Sequence, residues 1–221
     1  MSQSSEQKES LSPLKSALLA VEKMRARLEA IERSKSEPIA IIGLGCRFPG
    51  RADTPEAFWR LLNDGTDAVT EIPANRWDVS AFYDARPEAQ GKMYTRSGSF
   101  LEDIDQFDSG FFGISPREAT SMDPQQRLLL EVSWEALENG GCAPDRLAGS
   151  QTGVFIGICN RDYAESYDGA IDATSIDAYS GTGNIFSVAA GRLAYTLGLT
   201  GPALAVDTAC SSSLVATHLA C

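Results

Sequence analysis

The feature of this sequence best suited to covalent chemistry is a cysteine set among small residues directly after a short apolar run. The run is Ala203–Val206, and Asp207-Thr-Ala-Cys210-Ser-Ser-Ser213 follows it. Ala203–Val206 reads as a buried strand and Ser212–Cys221 as a helix, so Cys210 falls at a strand-to-helix junction. Unpaired backbone N–H groups and the positive end of the helix dipole favour a thiolate there. The same N–H groups can hold an oxyanion. Ala209, Ser211, Ser212 and Ser213 are small and leave room for a substrate carbonyl. The layout parallels the strand–nucleophile–helix elbow of hydrolases. Against this stands the ordinary role of a free cysteine as a small buried hydrophobe.

Other chemical candidates carry less. His218, the single histidine, lies eight residues beyond Cys210 on the same expected helix. Eight helical residues advance about 12 Å, whereas a Cys–His pair needs a separation of about 3 Å. His218 is therefore read as a packing or surface residue. Gly43-Leu-Gly45 follows an expected strand and hints at a dinucleotide fingerprint, but Pro49 and Gly50 fall where the helix should begin and the third glycine is missing. Gly181-Thr-Gly-Asn184 lacks the ending of a phosphate-binding loop and reads as tight packing. Cys46, Cys142 and Cys159 are expected to be buried thiols, and no His/Cys/Asp spacing suggests a metal site. Thr182 and the polar 160–180 segment are placed at the border of a substrate pocket or of a dimer interface, without a choice between them.

The elements that must position Cys210 alternate in type. Residues 1–11 are polar and expected to be disordered. Ser12-Pro13 opens a helix. Leu14, Ala17, Val21, Met24, Leu28 and Ile31 then repeat at spacings of three and four, a coiled-coil seam that Leu18 widens. The helix should fade at Ser34–Glu37. A helix of about 20 residues is marginal alone in water, so pairing with a copy of itself or with a partner helix is expected. Pro38–Ile42 reads as a buried strand. A helix is expected over 54–63, capped by Thr54, and residues 63–121 are loop-rich. Asp123-Pro124 starts the clearest helix, with Glu131, Glu135 and Glu138 on its wet face, Leu130, Trp134 and Leu137 on its buried face, and Gly140-Gly141 at its end. A strand over 152–158, a small-residue helix over 184–197, the strand 203–206 and the final helix complete an α/β pattern with a layered sheet. Cys221 brings no cap or turn signal, and the chain is expected to be cut within that helix.

Composition narrows the functional classes. Of 221 residues, 43% are hydrophobic and 22% charged, ordinary for a globular protein. No apolar stretch is long enough to span a membrane, and the polar N-terminus is unlike a secretory signal. Five cysteines without a CxxC pair suit free thiols in a reducing, cytoplasmic setting. The net charge is −11. Residues 1–37 carry seven Lys/Arg against six Asp/Glu, and the remainder carries twelve against twenty-four. A body this acidic argues against nucleic-acid binding, which needs cations to replace counterions.

The segment DTACSSSL (207–214) resembles the active-site motif of β-ketoacyl synthases from modular type I polyketide synthases. EPIAIIGLGCRFPG (37–50), FWRLLNDGTDAV (58–69), the segment 105–141 with MDPQQR, and 191–214 are similar to successive signatures of that family, in order. The N-terminal helix is similar to the docking helices of such synthases. The resemblance implies a thiolase-like αβαβα fold of two similar halves. Residues 37–221 would hold the N-terminal part of the synthase domain, and 1–36 the disordered start and docking helix. It implies that Cys210 accepts an acyl chain from the phosphopantetheine arm of an acyl carrier protein, with no cofactor bound directly. A malonyl-type extender then loses CO2, and its carbanion attacks the acyl-Cys thioester. The backbone N–H of Cys210 would be an oxyanion donor. Cysteine rather than glutamine at 210 disfavours a decarboxylation-only variant. The two histidines and the lysine that serve decarboxylation in the family lie downstream of the motif, so these residues alone are expected not to condense. The implied partners are the carrier protein, the docking helix of an upstream synthase, and a second copy of the complete domain, with no nucleic acid and no membrane. A stand-alone fatty-acid or starter-unit condensing enzyme and a non-catalytic docking fragment are the alternatives.

Overall fold

The computed structural model describes residues 12–35, 37–163 and 177–221. It divides into two units, the second running from Ile41 to Cys221. The first is built on the helix Pro13–Lys35. Ser12 starts it as expected, its Oγ accepting from the Lys15 N–H at 3.4 Å. Leu14, Leu18, Val21, Met24, Leu28 and Ile31 are all more than half exposed.

In the second unit, two helix starts follow local chemistry. Thr54 Oγ1 accepts from the Ala57 N–H at 3.1 Å, and Pro55 begins the helix Pro55–Asn63. Asp123 accepts from the Gln125 N–H at 2.8 Å, and Pro124 begins the helix Pro124–Asn139. Both prolines stand where no intrahelical N–H is needed. The loop-rich stretch holds two short helices, Val79–Phe82 and Pro116–Ser121, and an antiparallel ladder of Thr70–Glu71 with Ser97–Gly98.

The long helix corrects part of the expected wet face. Glu138 is exposed, but Glu131 and Glu135 are half-buried. Arg47 binds both oxygens of Glu135, at 2.6 and 2.5 Å. A guanidinium reaching the helix from 88 residues away in sequence makes the difference. Burial raises the Glu131 carboxyl above its ordinary value, outweighing the Asp108 N–H that donates to it. Trp134 is half-buried, donating to Glu138 Oε1 at 2.9 Å while Phe111 meets its ring edge-on at 4.8 Å.

The expected buried strand at Pro38–Ile42 is also corrected. Residues 37–47 join no ladder, and Ile41 and Ile42 are 81% and 69% exposed. An apolar run becomes a strand only beside a strand with free edge groups, and none of the described strands pairs with it. The glycines that follow have a packing role. A Cβ on Gly43 would stand 2.1 Å from the Ala136 carbonyl oxygen, and one on Gly45 would stand 2.4 Å from that of Val132. Gly43-Leu-Gly45 thus lets the chain cross the backbone of the long helix.

The sheet beneath the candidate site has two parallel strands. Val154–Gly157 pairs with Ala203–Val206, placing Val154 opposite Ala203 and Gly157 opposite Val206. The helix Phe186–Thr196 lies in the crossover between them. Its Ala190, Leu193 and Ala194 join Met122, Leu130, Val154 and Leu197 in the core. A buried polar network ties it down. Arg192, its side chain 11% exposed, pairs with Glu118 at 2.5 Å and donates to Gln126 Oε1 at 3.0 Å. Gln126, also buried, donates to the carbonyls of Thr182 and Ile185.

Candidate active site

Cys210 is exposed in a 3-10 turn, Ala209–Ser211, between the strand end at Val206 and the helix Ser212–Ala220. Side chains build that turn. Asp207 Oδ1 accepts from the Ala209 N–H at 3.1 Å. Ser212, 5% exposed, accepts from the Thr208 N–H at 2.9 Å and donates to the Ala209 carbonyl at 2.7 Å. Ser211 donates to the Thr208 carbonyl and hydroxyl at 2.8 and 2.9 Å. Ala209 sits in the left-handed region at φ 53°, where an L-residue is disfavoured by about 1–2 kcal/mol. Ser211 and Ser212 therefore hold the loop as well as being small. Among the described residues, nothing accepts a hydrogen bond from the Cys210 N–H. That donor is free for an incoming oxygen.

Gly157 fixes where the turn sits. A Cβ there would lie 2.7 Å from the Ser213 nitrogen and 2.8 Å from the Ser212 carbonyl carbon. Only glycine lets the helix after Cys210 rest directly on the neighbouring strand. The expectation of glycine-dependent packing at Gly181-Thr-Gly-Asn184 also applies, since a Cβ on Gly183 would stand 2.2 Å from the Ser121 carbonyl oxygen.

The remaining candidates fall on several elements. His218 is exposed in the last turn of the helix that Cys210 precedes. Cys46 and Cys142 are half-buried, and burial pushes the Cys46 thiol up. Cys159, expected to be buried, is exposed: it lies beyond the last paired residue of its strand, where none of the described strands covers it. Thr182 donates to the Ala178 carbonyl at 3.1 Å. Of the polar 160–180 segment, residues 164–176 lie outside the described residues. Cys159, Asn160, Ser180, Asn184 and Ser187 line a cavity of about 730 Å3 beside the end of the strand Val154–Gly157. Among the described residues, no cluster of three His, Cys, Asp or Glu side chains could hold a metal, and no helix is long and apolar enough to cross a membrane.

These features define an α/β protein that presents a cysteine where a parallel strand passes through a tight turn into a helix. Residues 36–221 match the family described as beta-ketoacyl synthase, N-terminal domain, and the chain belongs to it. It is 54% identical over 211 residues to one component of the phenolphthiocerol/phthiocerol polyketide synthase of Mycobacterium tuberculosis, covering 96% of this chain and 11% of that protein. It is 55% identical over 186 residues to another component of the same synthase, covering 84% of this chain and 12% of that protein. The chain thus spans about a tenth of the length of these relatives. Among solved structures, the oxazolomycin ketosynthase domain OzmH KS7 of Streptomyces albus JA3453 superposes with a TM-score of 0.72 at 40% identity, covering 82% of this chain and 31% of that one. The ketosynthase from module 6 of the bacillaene synthase of Bacillus subtilis 168 gives 0.70 at 39%, covering 82% and 29%. The fold is the thiolase-like α/β fold of ketosynthases, of which this chain holds a part, and a helix precedes it.

Proposed function

We propose that this chain is the acyl-accepting portion of a ketosynthase in a modular polyketide synthase, with Cys210 as nucleophile. The observation that carries this reading is the junction itself, an exposed cysteine in a side-chain-braced turn with a free N–H, within a member of the ketosynthase family. The Cys210 sulfur attacks the thioester carbonyl of an acyl group carried on phosphopantetheine. The Cys210 N–H receives the developing oxyanion, and the carrier sulfur leaves and takes up a proton. The acyl-Cys thioester then awaits a carbanion from a decarboxylated malonyl-type extender. The histidines and lysine that the family uses for that step are not among these residues, so condensation draws on groups outside them. The reaction is an acyl transfer that binds no cofactor directly.

In the same reading, residues 1–36 are the docking segment and 37–221 belong to the synthase domain. Residues 12–33 engage a copy of themselves or the tail of an upstream synthase, the complete domain is a homodimer, and the protein works in the cytoplasm with an acyl carrier protein. The exposed apolar stripe from Leu14 to Ile31 supports the docking role. MDPQQR (122–127) favours a modular synthase over a single-function condensing enzyme. The test is incubation with an acyl-N-acetylcysteamine thioester followed by intact-mass analysis. One acyl adduct is expected, mapping to Cys210 and lost in Cys210→Ala. An adduct that persists in Cys210→Ala overturns the assignment.

A further inference from the structure

Cys159 and Cys210 leave the sheet at adjacent strand ends. The ladder pairs Gly157 with Val206 and continues with the Ile158 N–H donating to the Val206 carbonyl at 3.1 Å. Cys159 therefore departs beside Asp207 and Thr208, across a strand spacing of about 4.8 Å. Alternation sets its face. Val154 and Ile158 are buried on the core side of their strand. Gly157 presents the opposite side, where a Cβ would touch Ser212 and Ser213. Cys159, two residues further on, shares the Gly157 side.

Those two residues advance about 6.6 Å along the strand. Because the helix Ser212–Ala220 packs back on Gly157, the same direction leads from Ser213 back to Cys210, three residues that pass from α-helix into the 3-10 turn and advance about 5–6 Å in all. The two displacements agree to within about 1–2 Å, so Cys159 arrives beside the turn that holds Cys210. Both thiols are exposed and free, and a disulfide spans Cα positions about 5.5–6 Å apart.

We propose that Cys159 and Cys210 form a reversible disulfide when the protein meets a hydroperoxide, which withdraws Cys210 from acyl transfer. The effect on acyl transfer rests on the function proposed above; the disulfide itself rests on the strand register. The Cys210 thiolate attacks the terminal peroxide oxygen, the O–O bond breaks, and a sulfenic acid forms as the alcohol, or water from hydrogen peroxide, departs. The Cys159 thiolate then attacks that sulfur and displaces hydroxide, which leaves as water. Two thiols lose two electrons and two protons, and the peroxide gains them. A dithiol reverses the bond by two exchange steps. Without Cys159, the sulfenic acid lies open to further, irreversible oxidation.

The test treats the chain with hydrogen peroxide, blocks remaining thiols with N-ethylmaleimide, and maps unreduced peptides by mass spectrometry. A linked pair containing Cys159 and Cys210 is expected, lost on adding dithiothreitol, with acylation of Cys210 lost and recovered in parallel. Cys159→Ser and Cys159→Ala, each checked by circular dichroism, should abolish the pair and send Cys210 to sulfinic acid, whereas Cys46→Ser should retain the pair. Sulfinic acid at Cys210 in the unsubstituted chain at the rate of Cys159→Ser, or pairing of Cys210 with Cys46, Cys142 or Cys221 instead, overturns the proposal. Acylation of untreated Cys210 without a linked pair sinks the disulfide alone. A linked pair without acylation leaves the disulfide standing and sinks the function.

Discussion

Gly157→Ala should displace the helix that begins after Cys210. The added Cβ would meet the Ser213 nitrogen at 2.7 Å, the Ser212 carbonyl carbon at 2.8 Å and the Ser213 Cα at 2.9 Å. Ordinary contacts lie at about 3.5–4.0 Å, so the two elements must part by roughly 0.7–1 Å. All three obstacles are backbone atoms, and no side chain can turn aside to make room. Overpacking of this kind costs about 1–3 kcal/mol. Loss of unfolded-state freedom on replacing glycine returns about 0.4–1 kcal/mol. The net expectation is destabilisation by about 1–2 kcal/mol. The displaced atoms follow Cys210 directly, and a misplacement near 1 Å can cost about 100-fold in rate, so acylation should slow by roughly 10- to 100-fold. Urea unfolding gives the first quantity, and an intact-mass time course of Cys210 acylation gives the second. Gly191→Ala is the comparison: that helix glycine has nothing within 4 Å of its added Cβ, and the change should stabilise by about 0.5–1 kcal/mol. Equal midpoints and equal rates for Gly157→Ala and the unsubstituted chain would refute the packing role of Gly157.

Two further outcomes follow from the buried charges. Arg192→Met leaves the half-buried Glu118 without its cation and Gln126 Oε1 without its donor, and should destabilise by about 3–5 kcal/mol in urea unfolding. Burial holds the Glu131 carboxyl above its ordinary value in the folded chain. The folded state therefore keeps a proton that the unfolded state has lost, and stability falls as pH rises between the two values. Glu131→Gln removes that loss, so it should be the more stable chain at neutral pH, with the gap closing as pH falls below the unfolded carboxyl value. A gap independent of pH would count against burial as the cause.

Where the determinants are local, the residues themselves announce the structure. Thr54-Pro55 and Asp123-Pro124 start helices because a side-chain oxygen and a proline within two residues suffice. The Cys210 junction is legible for the same reason, as an apolar run followed by small residues and a second apolar run. What escapes depends on distant partners. Pro38–Ile42 has strand composition, but composition supplies no neighbour. Glu131 and Glu135 keep helical spacing with Glu138, and only Arg47 and the loop around Asp108 separate their environments. The left-handed conformation of Ala209 carries no glycine or asparagine to announce it. The alignment of Cys159 with Cys210 follows from a ladder register that no single segment encodes.

That register also bears on the order in which the protein acquires its shape. Val154 and Ala203 pair across 48 residues of intervening chain, so their meeting waits on closure of a long loop. The Asp207–Ser212 hydrogen bonds span two to four residues and can form within nanoseconds to microseconds. The cysteine turn is thus an early local structure, while its seat against Gly157 is a late, non-local one. During synthesis, Ser212 and Ser213 can seat on Gly157 only after the whole crossover has left the ribosome, so the parallel strand pair acts as the timing step that joins a preformed turn to its platform.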